Sequence, residues 1–296
     1  MNLNHLALFQ SVAASASISA GAKVLHLSQS AVSKQLGELE RSLGLALFER
    51  LPRGVRLTDA GRVLQAYANN LVALEADAEG AMRSLKTGVG GRLRMGASRT
   101  IGAYLLPAFM ARFRERHPEV ELSLAVDSTA SIEQQLAAGA VDVAFTEGVV
   151  ENPKLAYQRF ASDELVLIAA PNHPVARLDP APLSVVQQYP LVMHEVGSGT
   201  RAVTERAFQA RQISLRPAFT LGSTEAIKQT VATGAGIAFL SAVAVRAEVT
   251  ARQLACVRLK GLTIKRPLYR ILRRGAWTSP ALSAFLRVMD DANARA

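Results

Sequence analysis

The chain has 296 residues, of which 49% are hydrophobic and 20% charged, as is typical of a globular protein with room for more than one domain. The net charge of +10 would suit a nucleic-acid partner, yet residues 1–90 hold nine Lys and Arg against seven Asp and Glu, a difference of only +2. Any interpretation as a nucleic-acid binder must therefore rest on a motif. The single cysteine, Cys256, excludes an internal disulfide, and we expect it to be a buried small apolar residue.

The N-terminal segment MNLNHLALFQ has no basic stretch followed by an apolar core, so neither a signal peptide nor export is expected. The longest uncharged run, 229–245, contains glycines, threonines and a serine, which is a poor pattern for a membrane span. With one cysteine and no membrane partner, a reducing cytoplasmic location is the expectation.

A first helix is predicted near the N-terminus, where Leu6, Phe9 and Val12 share one face. This apolar face would support two further helices joined by a tight turn. Ser19 is expected to cap the first of them, over 20–25, because its hydroxyl can accept hydrogen bonds from the free amides of the first turn.

Ser28 is expected to cap the second helix, over 29–43, and Gly44 to end it. Its buried stripe would consist of Val32, Leu36, Leu39 and Leu43. The outward positions near its start are short and polar, as expected of a helix that meets base edges in the major groove. These positions are Gln29, Ser30, Ser33, Lys34 and Gly37, and the cap Ser28 is counted with Gln29, Ser30, Ser33 and Lys34 among the expected DNA-binding residues.

Three segments carry a recognisable pattern: LSQSAVSKQL at 27–36, LERSLGLALFER at 39–50 and RGVRLTDAG at 53–61. They resemble the DNA-binding domain of LysR-type transcriptional regulators. Two residues depart from the family pattern, since Gly21 replaces a usual alanine and Ser30 a frequent proline. Gly21 is expected to weaken its helix by up to about 1 kcal/mol relative to alanine.

The segment after Gly44 predicts a short hairpin or wing around Pro52-Arg53-Gly54. Its arginines would lie along a DNA backbone. We expect Gln29 and Ser33 to contact base edges. The residues expected to contact mainly phosphates are Ser30, Lys34, Arg53 and Arg56.

From Ala60 the apolar residues recur at alternating spacings of four and three, a 3.5-residue repeat that is typical of a coiled coil. The predicted dimer seam contains Leu64, Tyr67, Leu71 and Leu74. The alternative is a helix pair within one chain. A two-fold dimer would present two recognition helices to a pseudo-palindromic promoter site in double-stranded DNA.

Strand-like and helical segments alternate beyond a glycine-rich hinge, which argues for an α/β fold with largely parallel sheets. The resemblance implies a two-lobed effector domain similar to periplasmic binding proteins, in which the chain crosses between lobes near Ser162 and returns near Pro267. The expected division is a winged helix-turn-helix domain with an all-α character (1–58), a dimerising coiled-coil linker helix (59–87), a hinge (88–91) and a regulatory domain (92–296). Within the regulatory domain, lobe I is expected at about 92–161 and 268–296 and lobe II at about 162–267.

Ligands of open α/β sheets bind beyond the carboxyl ends of strands, where helix N-termini offer free amides. Three loops fit this rule: 98–102, 146–148 and 195–201. The candidate effector-binding residues are Ser98, Arg99, Thr100, Glu147, Ser198, Gly199 and Thr200. For each loop alone, the alternative is that its hydroxyls only cap helices. Glu147 would oppose an anion unless it is protonated, paired with Arg99 or Arg201, or bound to a donor on the ligand.

The sequences of these loops are similar to those of the LysR branch that is tied to sulfur assimilation, sulfite response and carbon fixation. This similarity implies a small oxyanion or phosphorylated metabolite as effector, with an amino acid or aromatic carboxylate as the alternative. The resemblance also implies a homo-oligomer, a dimer and further a tetramer, with RNA polymerase as a candidate partner.

No enzymatic pattern is found in the sequence. Gly197-Ser198-Gly199 lacks the spacing of a nucleophile elbow, and His194-Glu195 has no second histidine on the next turn. We therefore expect no catalysis, metal or cofactor. The remaining alternatives are a solute-binding protein and a nonspecific architectural DNA binder.

Overall fold

The computed structural model describes residues 1–52, 54–87, 89–148 and 152–293. Arg53 of the predicted wing and Gly88 of the predicted hinge lie outside the described residues. The described side chains also leave out twelve helix positions, namely 70, 73, 76, 77, 80, 81, 83–87 and 293. The chain divides into two compact units, the first formed mainly by residues 1–86 and the second by most of 87–296.

The first unit consists of helices and one hairpin. Its elements are α1 (Leu3–Ser15), α2 (Ile18–Val24), α3 (Gln29–Leu43), β1 (Phe48–Leu51), β2 (Gly54–Leu57) and α4 (Asp59–Thr87). The predicted helix-turn-helix and the hairpin after it are therefore confirmed, and β1 pairs antiparallel with β2.

Serine hydroxyls and one glycine set the limits of the two central helices. Ser28 caps α3 by accepting from the Ala31 amide, and Gly44 ends it with a positive φ of 68°. The expected cap of α2 was wrong, because Ser17 accepts from the Ala20 amide and begins the helix two residues earlier.

The core of this unit lies between α1 and α3. Phe9, Val12, Val32 and Leu39 are fully buried in one apolar cluster. Leu43 is instead 36% exposed, because it is the last residue of α3 and lies at the edge of this core.

Helix α2 packs against α1 at Gly21 with almost no space between them. A Cβ on Gly21 would lie 2.9 Å from the Cα and from Cγ2 of Val12. Gly21 therefore has two opposing effects. It lowers the helix propensity of α2, but it also permits a close contact with α1 that alanine would obstruct.

Helix α4 places its apolar residues in two environments. Leu64 is partly buried against the core of the first unit, as is Val72, and Ala68 is fully buried there. Tyr67 and Leu74, by contrast, are 66% and 62% exposed, and Leu71 is also exposed. Part of the predicted seam thus faces solvent in the single chain, while Leu64 contributes to its own domain.

The second unit is an α/β domain. Its strands are β3 (Gly91–Ser98), β4 (Val120–Asp127), β5 (Val143–Glu147), β6 (Leu155–Ala169), β7 (Leu191–His194), β8 (Pro217–Leu221), β9 (Ile237–Ser241), β10 (Ala255–Val257) and β11 (Ile264–Arg273). Its α-helices are α5 (Arg99–Tyr104), α6 (Leu106–Arg116), α7 (Thr129–Ala137), α8 (Val185–Gln188), α9 (Gly199–Gln209), α10 (Thr224–Ala232), α11 (Ala242–Thr250) and α12 (Pro280–Asn293), and a 3-10 helix covers Pro174–Arg177.

The two long strands β6 and β11 join two parallel halves of one sheet, whose strand order is β4-β3-β5-β11-β6-β9-β7-β8. The first half contains β4, β3 and β5, and the second half contains β9, β7 and β8. Strands β6 and β11 are antiparallel to each other, with Ser162 directly opposite Pro267. The halves have separate apolar cores, one around Phe113, Phe145 and Phe285 and the other around Phe208.

Two local expectations for this unit were wrong. The helix predicted over 103–117 is divided into α5 and α6, and α5 already begins at Arg99, directly after β3. Cys256 is exposed instead of buried. It lies in the short strand β10, which pairs with the single strand β6 within the described residues.

The tight contact at Gly21 gives a stability prediction. Gly21→Ala should lower the free energy of unfolding by about 1–3 kcal/mol, because the overpacking against Val12 outweighs the higher helix propensity of alanine. Chemical denaturation of the full chain measures the change.

The matched control is Gly37→Ala in the middle of α3, where a Cβ would meet nothing within 4 Å. This variant should gain up to about 1 kcal/mol from helix propensity alone. If both alanine variants gained stability, the close approach at Gly21 would not be limiting.

Candidate functional site

A small open cavity of about 200 Å³ lies in the second unit and is lined by side chains from both halves of the sheet. Strands β3, β4, β5 and β7 all end at it, and helices α5, α7 and α9 begin at it. Its lining residues are Ser98, Arg99, Thr100, Asp127, Ser128, Thr129, Glu147, His194, Ser198, Gly199 and Thr200. All seven candidate effector-binding residues are therefore brought together around one space.

Glu147 lies at the base of this cavity and is only 3% exposed. Its Oε1 is 3.1 Å from Nη1 of Arg266, and its Oε2 accepts a hydrogen bond from the Ser98 hydroxyl. Burying a carboxylate without such partners would cost several kcal/mol. The charge of Glu147 is thus compensated by Arg266, and neither Arg99 nor Arg201 has that role.

Arg266 is fully buried and connects several parts of the site. Its Nε donates to Asp163 at 2.9 Å across the β6–β11 pair, and its Nη1 donates to the Thr200 hydroxyl at 2.8 Å. Asp163 also accepts from the Ser241 hydroxyl at 3.0 Å. Because the Thr200 oxygen accepts from Arg266, its own hydroxyl proton remains available to a ligand.

Arg99 forms ion pairs on both sides of the cavity. Its Nη1 donates to Glu195, which follows β7, and its Nη2 lies 3.4 Å from Asp127. Asp127 also accepts from the Ser131 hydroxyl and the Ser128 amide, and these hydrogen bonds hold the pKa of Asp127 below its ordinary value. Arg99 therefore connects the two halves of the sheet across the cavity.

His194 is the last residue of β7 and is 4% exposed. Its Nδ1 has no hydrogen-bond partner among the residues that the structure describes, and Oε2 of Glu195 lies 3.8 Å away. Burial lowers the pKa of His194 to about 4, so the imidazole is neutral at pH 7.

The sequence reasoning missed Asp127, Ser128, Thr129, His194 and Arg266. The first three follow the carboxyl end of β4 and precede α7, so the rule that selected the other loops could have found them. Arg266 had no such signal, because it lies inside a strand more than sixty residues from any other member of the site.

The cavity combines features that suit a small polar ligand. Helices α7 and α9 direct their first turns toward it, so the positive ends of two helix dipoles face the same space, while the Ala130, Ser131 and Arg201 amides already donate to Gly197, Ser128 and Ser198. The Thr129 hydroxyl in the lining has no hydrogen-bond partner among the described residues. Gly199 lets the chain pass closely, since a Cβ there would lie 2.5 Å from the Glu147 carbonyl oxygen.

The surface predicted to contact DNA lies at the start of α3. Ser28, Gln29, Ser30 and Lys34 are exposed, and Ser33 is half-buried. The Ser28 and Ser30 hydroxyls lie 3.0 Å apart, while the side-chain oxygen of Gln29 accepts from the Ser19 hydroxyl at 2.9 Å. Ser19 therefore orients Gln29 instead of capping α2.

Arg56 of the wing pairs with Glu49 on the neighbouring strand, with Nη2 and Oε2 2.6 Å apart. Both side chains are largely exposed, and such a pair contributes only about 0–1 kcal/mol. A phosphate could therefore replace Glu49 at little cost. Arg53, the other wing candidate, lies outside the described residues.

Two family profiles match the chain. "Bacterial regulatory helix-turn-helix protein, lysR family" matches residues 3–62, and "LysR substrate binding domain" matches residues 86–294. The chain belongs to the LysR family. It is thus a LysR-type transcriptional regulator with a helix-turn-helix domain and an effector-binding domain, as the sequence motifs predicted.

Full-length relatives agree with this assignment. The RuBisCO operon transcriptional regulator of Allochromatium vinosum is 35% identical over 285 residues, which cover 96% of this chain and 94% of the relative. The carbon-fixation branch suggested by the loop sequences is therefore consistent with relatives named as RuBisCO regulators.

Solved structures share the fold. The regulatory domain of Synechocystis PCC6803 CcmR, in complex with 2-PG, is 30% identical with a TM-score of 0.64 and covers 69% of this chain and 97% of that domain. Full-length CbnR complexed with its target DNA has a TM-score of 0.73 at 23% identity and covers 99% of this chain and 100% of CbnR. At this identity, the similarity to CbnR shows only that the two chains share a fold.

No helix in the described residues combines the length and apolar character needed to cross a bilayer. Within the same residues, no three His, Cys, Asp or Glu side chains are grouped as metal ligands.

The buried neutral His194 predicts a pH dependence of stability. The unfolded chain binds a proton at this residue below about pH 6.5, whereas the folded chain does so only near pH 4. Stability should therefore fall as the pH is lowered from 7 to 5, by about 2 kcal/mol from this group.

Denaturation of the full chain and of His194→Gln at both pH values measures this contribution. The glutamine variant should lose about 2 kcal/mol less between pH 7 and pH 5. Equal losses in the two proteins would show that His194 is not held neutral by burial.

Proposed function

We propose that the effector of this LysR-type regulator is a small oxyanion or a phosphorylated metabolite that binds in the cavity between the starts of α5, α7 and α9. One observation carries this proposal: the first turns of α7 and α9 and the hydroxyls of Thr129 and Thr200 converge on the same small space. Such amides and hydroxyls donate to oxyanions without requiring a metal or cofactor.

The cavity is small in the free chain, which supports a compact ligand of only a few heavy atoms. The CcmR regulatory domain, which is 30% identical, was solved with 2-PG, and this supports a phosphorylated compound of similar size.

A second candidate is an amino acid, and the excess of carboxylates around the cavity favours it. Glu147 and Asp127 line the space, Glu195 is paired with the lining residue Arg99, and an ammonium group would be attracted to these carboxylates. We favour the oxyanion, because Glu147 is already paired with Arg266 and the helix N-termini favour negative charge.

We further propose how the chain uses its DNA-binding unit. Gln29 and Ser33 read base edges, Ser30, Lys34, Arg53 and Arg56 mainly hold phosphates, and Ser28 belongs to the same DNA-binding surface. The exposed Tyr67, Leu71 and Leu74 form the dimer seam of a coiled coil, so that a dimer, and a tetramer built from two dimers, engages a pseudo-palindromic promoter.

Binding without chemistry is the proposed role of the regulatory domain, so we assign no enzymatic activity and no cofactor. A regulator of this family acts on promoter DNA, which supports a cytoplasmic location and makes RNA polymerase a candidate partner. The family assignment also argues against a solute-binding protein, and discrimination between cognate and random DNA would exclude a nonspecific architectural binder.

The effector proposal predicts ligand-dependent stabilisation of the full chain. Titration with 2-phosphoglycolate, sulfate or sulfite should raise the melting temperature, by on the order of 5 °C at 100 times the dissociation constant. Thr129→Val should reduce the shift strongly, because it removes a cavity hydroxyl that makes no hydrogen bond within the described chain.

The matched control is Thr250→Val, since Thr250 lies at the exposed end of α11 and away from the cavity lining. It should retain the full shift. A shift with glycine or benzoate and with none of the oxyanions would contradict the oxyanion proposal and leave the regulator assignment intact.

The DNA proposal predicts a sequence-specific effect of one side chain. Gln29→Ala should weaken binding of cognate promoter DNA by about 1–3 kcal/mol and leave binding of random DNA almost unchanged, because a base contact is lost. Lys34→Ala, the comparison variant, should weaken both by similar amounts. A fluorescence titration at fixed salt distinguishes the two, and an equal loss on both DNAs in Gln29→Ala would refute base reading by Gln29.

A further inference from the structure

We propose that His194 is a ligand-binding residue of the cavity and that its imidazole accepts one proton when a doubly charged oxyanion binds. This inference rests on the proposed function, because it concerns the same cavity. The first observation is geometric: His194 lines the cavity, is almost completely buried, and has an Nδ1 without a partner among the described residues. A buried polar atom of this kind usually has a hydrogen-bond partner in the functional state.

The second observation is the charge around the cavity. The linked groups comprise two guanidinium groups and four carboxylates, so their formal charge is 2 − 4 = −2. The guanidinium groups are those of Arg99 and Arg266, and the carboxylates are those of Asp127, Glu147, Asp163 and Glu195. Arg201 also faces His194, because its Nη1 donates to the His194 carbonyl oxygen at 3.1 Å, but it is paired with Glu205 and this pair adds no net charge. A dianion entering this cluster without a compensating cation would meet strong repulsion in a poorly solvated site.

His194 is placed to supply that cation. Within this cluster it is the group that is neutral at pH 7 and can gain a positive charge, because burial lowers its pKa to about 4 in the free chain. The nearby Glu195 carboxylate raises the pKa of His194, whereas the charges of Arg99 and Arg266 lower it further. A bound dianion would offset the effect of the two guanidinium groups and favour the imidazolium.

The contacts also provide a partner exchange. Arg99 is part of the lining and in the free chain donates to Glu195 Oε1, while Glu195 Oε2 has no partner among the described residues. When an anion draws Arg99 into the cavity, Glu195 loses its cation. A protonated Nδ1 of His194, now 3.8 Å from that oxygen, would replace it. The proton comes from solvent, and no covalent bond other than the new N–H is formed.

Calorimetry of the full chain tests the proposal. Sulfate is the first probe because it remains a dianion across the working pH range, and 2-phosphoglycolate is the second. Titrations at pH 7 in two buffers of different ionisation enthalpy give the number of protons taken up. We expect the unsubstituted chain to take up close to one proton more than His194→Asn. Because one proton is taken up on binding, the dissociation constant of the unsubstituted chain should fall about tenfold for each unit by which the pH is lowered, in the range where uptake is complete.

Two further variants separate His194 from its neighbours. Glu147→Gln should retain proton uptake, because it leaves both the imidazole and Glu195 in place, whereas Glu195→Gln should reduce it, because the imidazolium loses its carboxylate partner. Uptake that persists in His194→Asn, or that is lost only in Glu147→Gln, would overturn the proposal while the oxyanion assignment stands. If neither probe binds the unsubstituted chain, both the proposed function and this inference are wrong.

A measurement on the unsubstituted chain tests the proposal even if a variant does not fold. Carbon-13 spectra of the ring positions of the five histidines in the full chain distinguish imidazole from imidazolium. Saturating sulfate at pH 6.5 should convert one buried histidine to imidazolium. Unchanged histidine signals with bound sulfate would overturn the proposal.

Discussion

The regulatory domain depends on one buried cation. Arg266 has no exposed surface, and it contacts Asp163 across the β6–β11 pair, Glu147 at the end of β5 and Thr200 in the first turn of α9. These partners come from the long strands and from both halves of the sheet. Removing one member of such a buried ion pair typically costs about 3–5 kcal/mol, because the remaining charges lose their compensation. Arg266 therefore fixes the base of the cavity while it joins the two halves.

The same arrangement explains how an anion site can contain a glutamate. Glu147 orients Ser98 and is neutralised by Arg266, so the ligand-binding groups left over are amides, hydroxyls and Arg99. Arg99 already bridges to Glu195 in the other half of the sheet, which makes it responsive to any anion that enters. Through Arg99, the binding of an anion is thereby linked to the stability of the Arg99–Glu195 contact between the two halves of the sheet.

Much of this architecture could be predicted from local sequence. Ser28, Gly44 and the apolar stripe of α3 specify the recognition helix through capping and periodicity, and strand–loop–helix order placed Ser98, Glu147 and Thr200 near one another. Long-range pairings could not be predicted. The extension of β6 back to Leu155, its pairing with β11 and the burial of Arg266 depend on contacts about a hundred residues apart, for which no local pattern exists. The exposure of Cys256 was missed for the same reason.

The most direct test of the account is a crystal structure of the full chain with 2-phosphoglycolate bound. The phosphoryl group should lie between the first turns of α7 and α9 and contact the Thr129 and Thr200 hydroxyls, and Arg99 should be turned from Glu195 toward the ligand. The Arg266 contacts to Asp163 and Glu147 should remain. A ligand bound elsewhere on the chain, or in the cavity with the Arg99–Glu195 pair intact and the helix N-termini uncontacted, would contradict it.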